Sequence, residues 1–281
     1  MATLSFPSSF VDDTPTPRPA VEWAFEHGFR AVELSGSQFR LQDLSQEDQL
    51  YLRSAARERG LRYSYHFPSD TAPGSHDPER RRRDLAELVD AIRVASHVGV
   101  EVIVVHPGEL DVGGSDGASL PEGVRHEALG HLVDFIGQAA VAAENAGVLL
   151  CLENLHYVPG WLIQAHSDLV QAVDAVDSSS VAITFDVGHA WGSEGVQQGL
   201  EIFGERIRHV HVHDCSGPQG SGNAGQHQEI GTGRLDFGRL SDLVRPSDQI
   251  VTLEVWSPGD HGASILRSRA VMKAAWGESV D

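Results

Sequence analysis

Hydrophobic positions along the chain switch between two periods. Short apolar or β-branched runs lie near residues 3–6, 30–34, 61–66, 100–106, 147–153, 181–186, 207–213 and 250–255, with the length and composition of buried strands. Amphipathic segments follow them near 18–28, 46–59, 79–98, 122–146, 167–176, 195–204, 236–246 and 261–275, where apolar residues recur at helical spacing. Gly28, Gly60, Gly99 and Gly147 stand where four of these helices should end, since glycine accepts the left-handed turn that stops a helix. Eight strand and helix pairs in alternation predict a (β/α)8 barrel, the TIM-barrel architecture, as one domain over residues 1–281. A doubly wound dinucleotide fold fits less well, because no strand has GxGxxG directly after it.

The strand ends carry the chemistry. His66 closes YSYHFP, His106 closes VIVVHPG, Glu153 closes LLCLEN, Asp186 closes AITFDVGH and Glu254 closes TLEV, while IRHVHVHD alternates His209, His211 and His213. Charged and imidazole groups are costly to bury, so their recurrence where apolar strands stop predicts a shared site on the C-terminal face of the barrel. Glu153, Asp186, His211 and Glu254 form a mixed oxygen and nitrogen set suited to a divalent cation such as Mn, Mg, Co or Zn. The turn in FDVGHA should return His189 over the same mouth, to hold substrate or another metal.

Weaker candidates surround this set. His66 and His106 precede prolines, where a histidine can also serve a tight turn. His227 lies in the long glycine-rich loop after the seventh strand, and a second such loop, PGELDVGGSDGASLPEG, follows the fourth; both belong to the active-site face. Strand alternation points His213 to the side of His211, and Asp214 is expected to orient a neighbouring ligand. Cys215 is close enough to coordinate a soft metal but reads better as an unligated thiol. The rings of Trp161, Trp191 and Trp256 follow strands and would stack on a sugar or close the barrel mouth.

Composition narrows the partners. A formal net charge of −19 argues against nucleic acid, which is gripped by basic surface. The one basic run, Arg80 to Arg83, reads as a solvated helix face beside Glu79, Asp84 and Glu87. No membrane span or leader is expected, and two cysteines without CxxC spacing suit a reducing compartment, so the protein is expected to be cytoplasmic. Serine-hydrolase chemistry has little support, and neither cysteine stands in a CGxC context. A homo-oligomer is left open.

HFP, VVHPG, LEN, FDVGHA, HVHD, HQEIGTGRLDF and LEV occur in the order and roughly the spacing of one family. By these motifs the chain resembles the xylose isomerase-like TIM barrels, which include sugar-phosphate isomerases and epimerases together with endonuclease IV. In the epimerase branch, the resemblance implies one divalent cation on Glu153, Asp186, His211 and Glu254. Glu153 and Glu254 would also serve as acid and base through a metal-stabilised enediolate, with His189 holding a carbohydrate substrate. Arg234 in GTGRLDF would contact a phosphate or carboxylate.

In the endonuclease branch, His66, His106 and a bridging Glu153 would form a second metal site. His189 and His227 would join a third, together with an aspartate two residues before the latter histidine; here that position is Gly225. The resemblance therefore favours a metal-dependent sugar or polyol isomerase or epimerase. An abasic-site phosphodiesterase is the alternative, followed by a dehydratase or lyase, or a non-catalytic binding barrel.

Overall fold

The computed structural model describes residues 1–11, 14–108, 121–156, 158, 161–240, 248–257 and 259–281. Its strands are β1 (Thr3–Ser5), β2 (Ala31–Ser35), β3 (Arg62–His66), β4 (Val100–Val105), β5 (Leu149–Glu153), β6 (Val181–Asp186), β7 (Ile207–Val212) and β8 (Ile250–Leu253). They pair in parallel in the order β1-β8-β7-β6-β5-β4-β3-β2. The remaining seam, β1 to β2, is drawn together by a bridge between Pro7 and Glu33 and by the Glu33 N–H donating to Phe6 O at 2.9 Å. The sheet is a nearly closed barrel.

Helices α1 (Arg18–His27), α2 (Gln46–Arg59), α3 (Pro78–Val98), α4 (Glu122–Ala146), α5 (His166–Val176), α6 (Val187–Gly192), α7 (Val196–Phe203) and α8 (His261–Trp276) accompany the strands, with short 3-10 helices in the connections and at the C-terminal end. The four expected stop glycines cap α1 to α4 with φ between 67° and 93°. Ser45 and Asp77 start α2 and α3 by accepting the N–H of Asp48 and Glu79. Two departures appear. The short helix α6 springs directly from the end of β6, capped by the Asp186 side chain on the His189 N–H. The helix expected over 236–246 shows only turns and a short 3-10 stretch up to Leu240, and 241–247 lie outside the described residues. Most of the loop after β4, residues 109–120, also lies outside them.

Alternation along the strands sorts the core into two layers. Outward residues such as Tyr63, Tyr65, Ile103, Val105, Phe185, Val210 and Leu253 pack against the helices in one large apolar cluster. Inward residues Val102, Val104, Cys151 and Ala182 form a separate, smaller one. Much of the remaining interior is polar: Ser5 bonds Thr252 at 2.7 Å, and Ser64 donates to Glu33 at 2.9 Å. The inward columns of β3 to β8 then end at the C-terminal mouth on His66, His106, Glu153, Asp186, His211 and Glu254, so a one-residue register slip would turn these residues outward. Among the described residues no helix is long and apolar enough to cross a membrane.

The long loop after β7 is organised by Asp214 and not, as expected, used to steer a ligand. Its fully buried carboxylate accepts four backbone N–H groups: Cys215 at 2.8 Å and Leu235 at 3.1 Å on Oδ1, Gly231 at 3.0 Å and Gly233 at 2.8 Å on Oδ2. Asp214→Ala would strand those donors and is expected to cost about 3 kcal/mol or more, with Asp214→Asn intermediate, read as the shift in urea midpoint.

Candidate metal centre

Four strand ends place the expected ligands together. Asp186 and His211 face each other across the β6–β7 ladder, Glu153 ends β5 beside Thr184, and Glu254 follows β8 with its N–H on Val212 O. Ligand atoms of all four lie within 4.8 Å of one another. His211 Nδ1 is the hub: Glu153 Oε1 stands at 3.3 Å, Glu254 Oε2 at 3.4 Å and Asp186 Oδ2 at 3.9 Å. Glu153, Asp186 and His211 are buried, and Glu254 keeps slight exposure.

The donor set fits a cation. Three carboxylates are held at one buried point, and Asp186 Oδ2 has no hydrogen-bond partner there among the described residues. Such an arrangement is unfavourable unless positive charge joins it. Histidines supply that charge in the metal-free protein. Burial works against ionising Glu153, yet the charges of His211 and His106 outweigh it and hold the carboxyl well below its usual range. Asp186 and Glu254 are lowered in the same way, against burial, chiefly by His189 and by His211 respectively. Conversely, burial disfavours charged His66 and His189, but the surrounding carboxylates raise both to about 9. His211 is likewise raised well above its ordinary value, with Glu33, Glu254 and Glu153 overcoming burial.

Two residues outside the expected set position the centre. Glu33, buried on β2, lies with Oε2 3.2 Å from His211 Nε2 and accepts the Ser64 hydroxyl. A proton on Nε2 is thereby favoured, which leaves the Nδ1 lone pair for the cation. Asn154 accepts the Asp186 N–H at 2.8 Å and donates to Asp186 O at 2.9 Å, pinning the end of β6. The pattern AVELS signals Glu33 by the rule that found the others, a carboxylate on an inward strand position. Its place two residues before the strand end hides it.

His66 and His106 flank the other oxygen of Glu153, with Nε2 atoms 3.4 Å and 3.0 Å from Oε2. His189 reaches the site from α6, its Nδ1 3.0 Å from Asn154 O and 3.4 Å from Glu153 Oε1. His227 lies with Nδ1 3.0 Å from Glu254 O, on a backbone with φ 56°. At Gly225 a Cβ would meet Ser216 Oγ at 2.0 Å, so this loop conformation has no room for a side chain there.

The remaining candidates lie around this centre. Trp191 Nε1–H donates to Gly217 O at 3.0 Å and Arg234 Nε–H to Ser216 O at 2.7 Å, so both side chains brace the loop after β7. Trp256 is 53 % exposed at the mouth. Trp161 packs near His156, a histidine the strand-end reasoning passes over, at 5.4 Å. Burial pushes the Cys215 thiol up to about 12, as expected of an unligated thiol.

Comparison with known proteins agrees with this architecture. The family model described as xylose isomerase-like TIM barrel matches residues 21–275. An uncharacterized protein of Methanocaldococcus jannaschii is 30% identical over 244 residues, covering 84% of this chain and 78% of its own. A probable endonuclease 4 of Methanoculleus marisnigri is 30% identical over 193 residues, 64% of each chain. Among solved structures, a D-tagatose 3-epimerase-like protein superposes with a TM-score of 0.78 at 24% identity, covering 99% of this chain and 98% of the other.

Glu153→Gln or Asp186→Asn should remove bound divalent cation while leaving the fold intact, which elemental analysis and circular dichroism would show. Unchanged metal content in both variants would remove the site. A pH test follows from the histidines. The folded, chelator-treated protein keeps protons on His66 and His189 up to about 9, whereas unfolded histidine loses them near ~6.5. The folded state therefore binds more protons across that window, and metal-free stability should fall as pH rises through it. Cation affinity should rise over the same range, because binding displaces those protons. Melting temperature and cation titration at both ends of the window measure the two trends.

Proposed function

The chain belongs to the xylose isomerase-like TIM barrel family, and we propose that within it the protein is a divalent-metal-dependent sugar or polyol isomerase or epimerase. The observation that carries this reading is the pair Glu153 and Glu254. They come from separate strand ends, both approach His211 Nδ1, and both are held ionised against burial. Two ionised carboxylates around one point can take a proton from a carbon beside a carbonyl and return one to it. A Mn, Co, Mg or Zn ion held by Glu153, Asp186, His211 and Glu254 would supply the positive charge that the oxygens of an enediolate require.

His189, reaching in from α6, would hold a substrate hydroxyl. Trp256, exposed at the mouth, offers apolar surface to a sugar face. An open cavity of about 570 Å³ lies among the loops following β2 and β3, lined by Ser37, Gln38, Arg40 and Asp70 among others. It lies on the C-terminal face, and none of its lining residues belongs to the proposed centre.

A second reading rests on one observation. His66, His106 and Glu153 also bring ligand atoms within 4.8 Å, the arrangement of an additional cation, and a probable endonuclease 4 is among the relatives. Phosphodiester hydrolysis at an abasic site is the corresponding activity. Against it stand the net charge of −19 and the glycine at 225, where the endonuclease pattern has an aspartate.

Incubation of the Mn- or Co-loaded protein with ketopentoses and ketohexoses in D2O should exchange the hydrogen on a carbon next to the carbonyl, as read by NMR. Chelator should abolish the exchange, and Glu254→Gln should lower its rate by about 100-fold or more. Cleavage of abasic-site DNA, with two or more zinc ions per chain and no sugar turnover, would replace this reading by the second.

A further inference from the structure

We propose that His213 is a positioning residue of the metal centre, which reserves one oxygen of Asp186 for the cation and takes its own orientation from the backbone of the loop after β7. The inference rests on the metal-centre reading above. The imidazoles of His189, His213 and His227 have nitrogen atoms within 4.8 Å of one another and at first resemble a further cation site. Hydrogen bonding decides otherwise.

The backbone N–H of His227 donates to His213 Nδ1 at 2.8 Å, which uses that lone pair. The ring proton then resides on Nε2, 3.1 Å from Asp186 Oδ1, and donates there. Asp214 O lies 3.3 Å from Nδ1, but a proton placed on Nδ1 to reach it would point at the His227 N–H, so the shorter bond fixes the tautomer. Neither nitrogen of His213 is left for a metal.

Asp186 shows the consequence. Its Oδ1 accepts both His213 Nε2–H and the His189 N–H at 2.6 Å. Its Oδ2 has no hydrogen-bond partner among the described residues and faces His211 Nδ1 at 3.9 Å. With Oδ1 saturated, the carboxylate cannot rotate to exchange its oxygens without leaving two buried donors unpaired.

The imidazole itself has no freedom to drift. On one side the His227 ring stacks on it at 4.1 Å and 22°. On the other, a Cβ at Gly188 would fall 1.9 Å from His213 Cε1, so the close approach requires glycine there. The loop that carries His227 is thus mechanically joined to a metal ligand through one side chain.

Cobalt(II) is the probe, read by competition against a chelating dye and by its d–d absorption. His213→Phe keeps a ring but loses both hydrogen bonds. His213→Asn retains an acceptor for the His227 N–H and is too short to reach Asp186. His213→Gln can restore a donor near the Nε2 position. We expect Phe and Asn each to raise the cobalt Kd on the order of 10–100-fold with an altered d–d band, and Gln to recover most of the loss. Should Phe fail to fold, Asn carries the same test.

Wild-type Kd and spectrum in both Phe and Asn would overturn the proposal. Loss of a second cobalt equivalent with the first unaffected would also overturn it, by making His213 a ligand. Absence of cobalt binding by the unmodified protein would instead overturn the metal centre, and the proposal with it.

Discussion

Burial of three carboxylates around one imidazole nitrogen is the constraint on which the site depends. Isolated, each such group would cost several kcal/mol to desolvate, and here they are held by strand backbones that cannot easily separate them. The protein offsets the cost with histidines: His66, His106, His189 and His211 all contact Glu153 within 3.4 Å. Raised histidines and lowered carboxylates are two descriptions of one charge balance. A divalent cation would satisfy the same balance.

A polar barrel interior supports that balance from below. Where an ordinary barrel is filled by branched apolar side chains, this one places Ser5, Glu33, Ser64, Thr184, His209 and Thr252 on inward positions. Glu33 fixes His211 from beneath while sitting on the β1–β2 seam, so the seam of the sheet and the proposed metal ligand are joined through one residue. His209, pushed by burial down to about 3, stays neutral beside it. The ligands are therefore oriented by the strands that carry them and by the column of polar groups underneath.

The loop after β7 adds a layer above. Asp214 gathers its backbone, Trp191 and Arg234 brace its flank, and the His227 N–H meets His213 behind Asp186. Variation in this loop would alter what the mouth admits, whereas its two buried anchors tie it to the metal face.

The sequence alone determined the barrel and most of the centre. Strand and helix periods are local properties, so the eight strands fall where the apolar runs lie, and β-alternation carries Glu153, Asp186, His211 and Glu254 to one face. Even His66, His106, His189 and His227 were legible, because each follows or ends a strand. What tertiary structure decided is which residues touch. Glu33 is 178 positions from His211, and only closure of the barrel puts them 3.2 Å apart. The role of Asp214 depended on a loop returning its own N–H groups, and the tautomer of His213 on a backbone donor fourteen residues away. Hydrogen bonds between distant segments leave no period in a sequence, since their partners are chosen by the path of the chain and not by its local pattern.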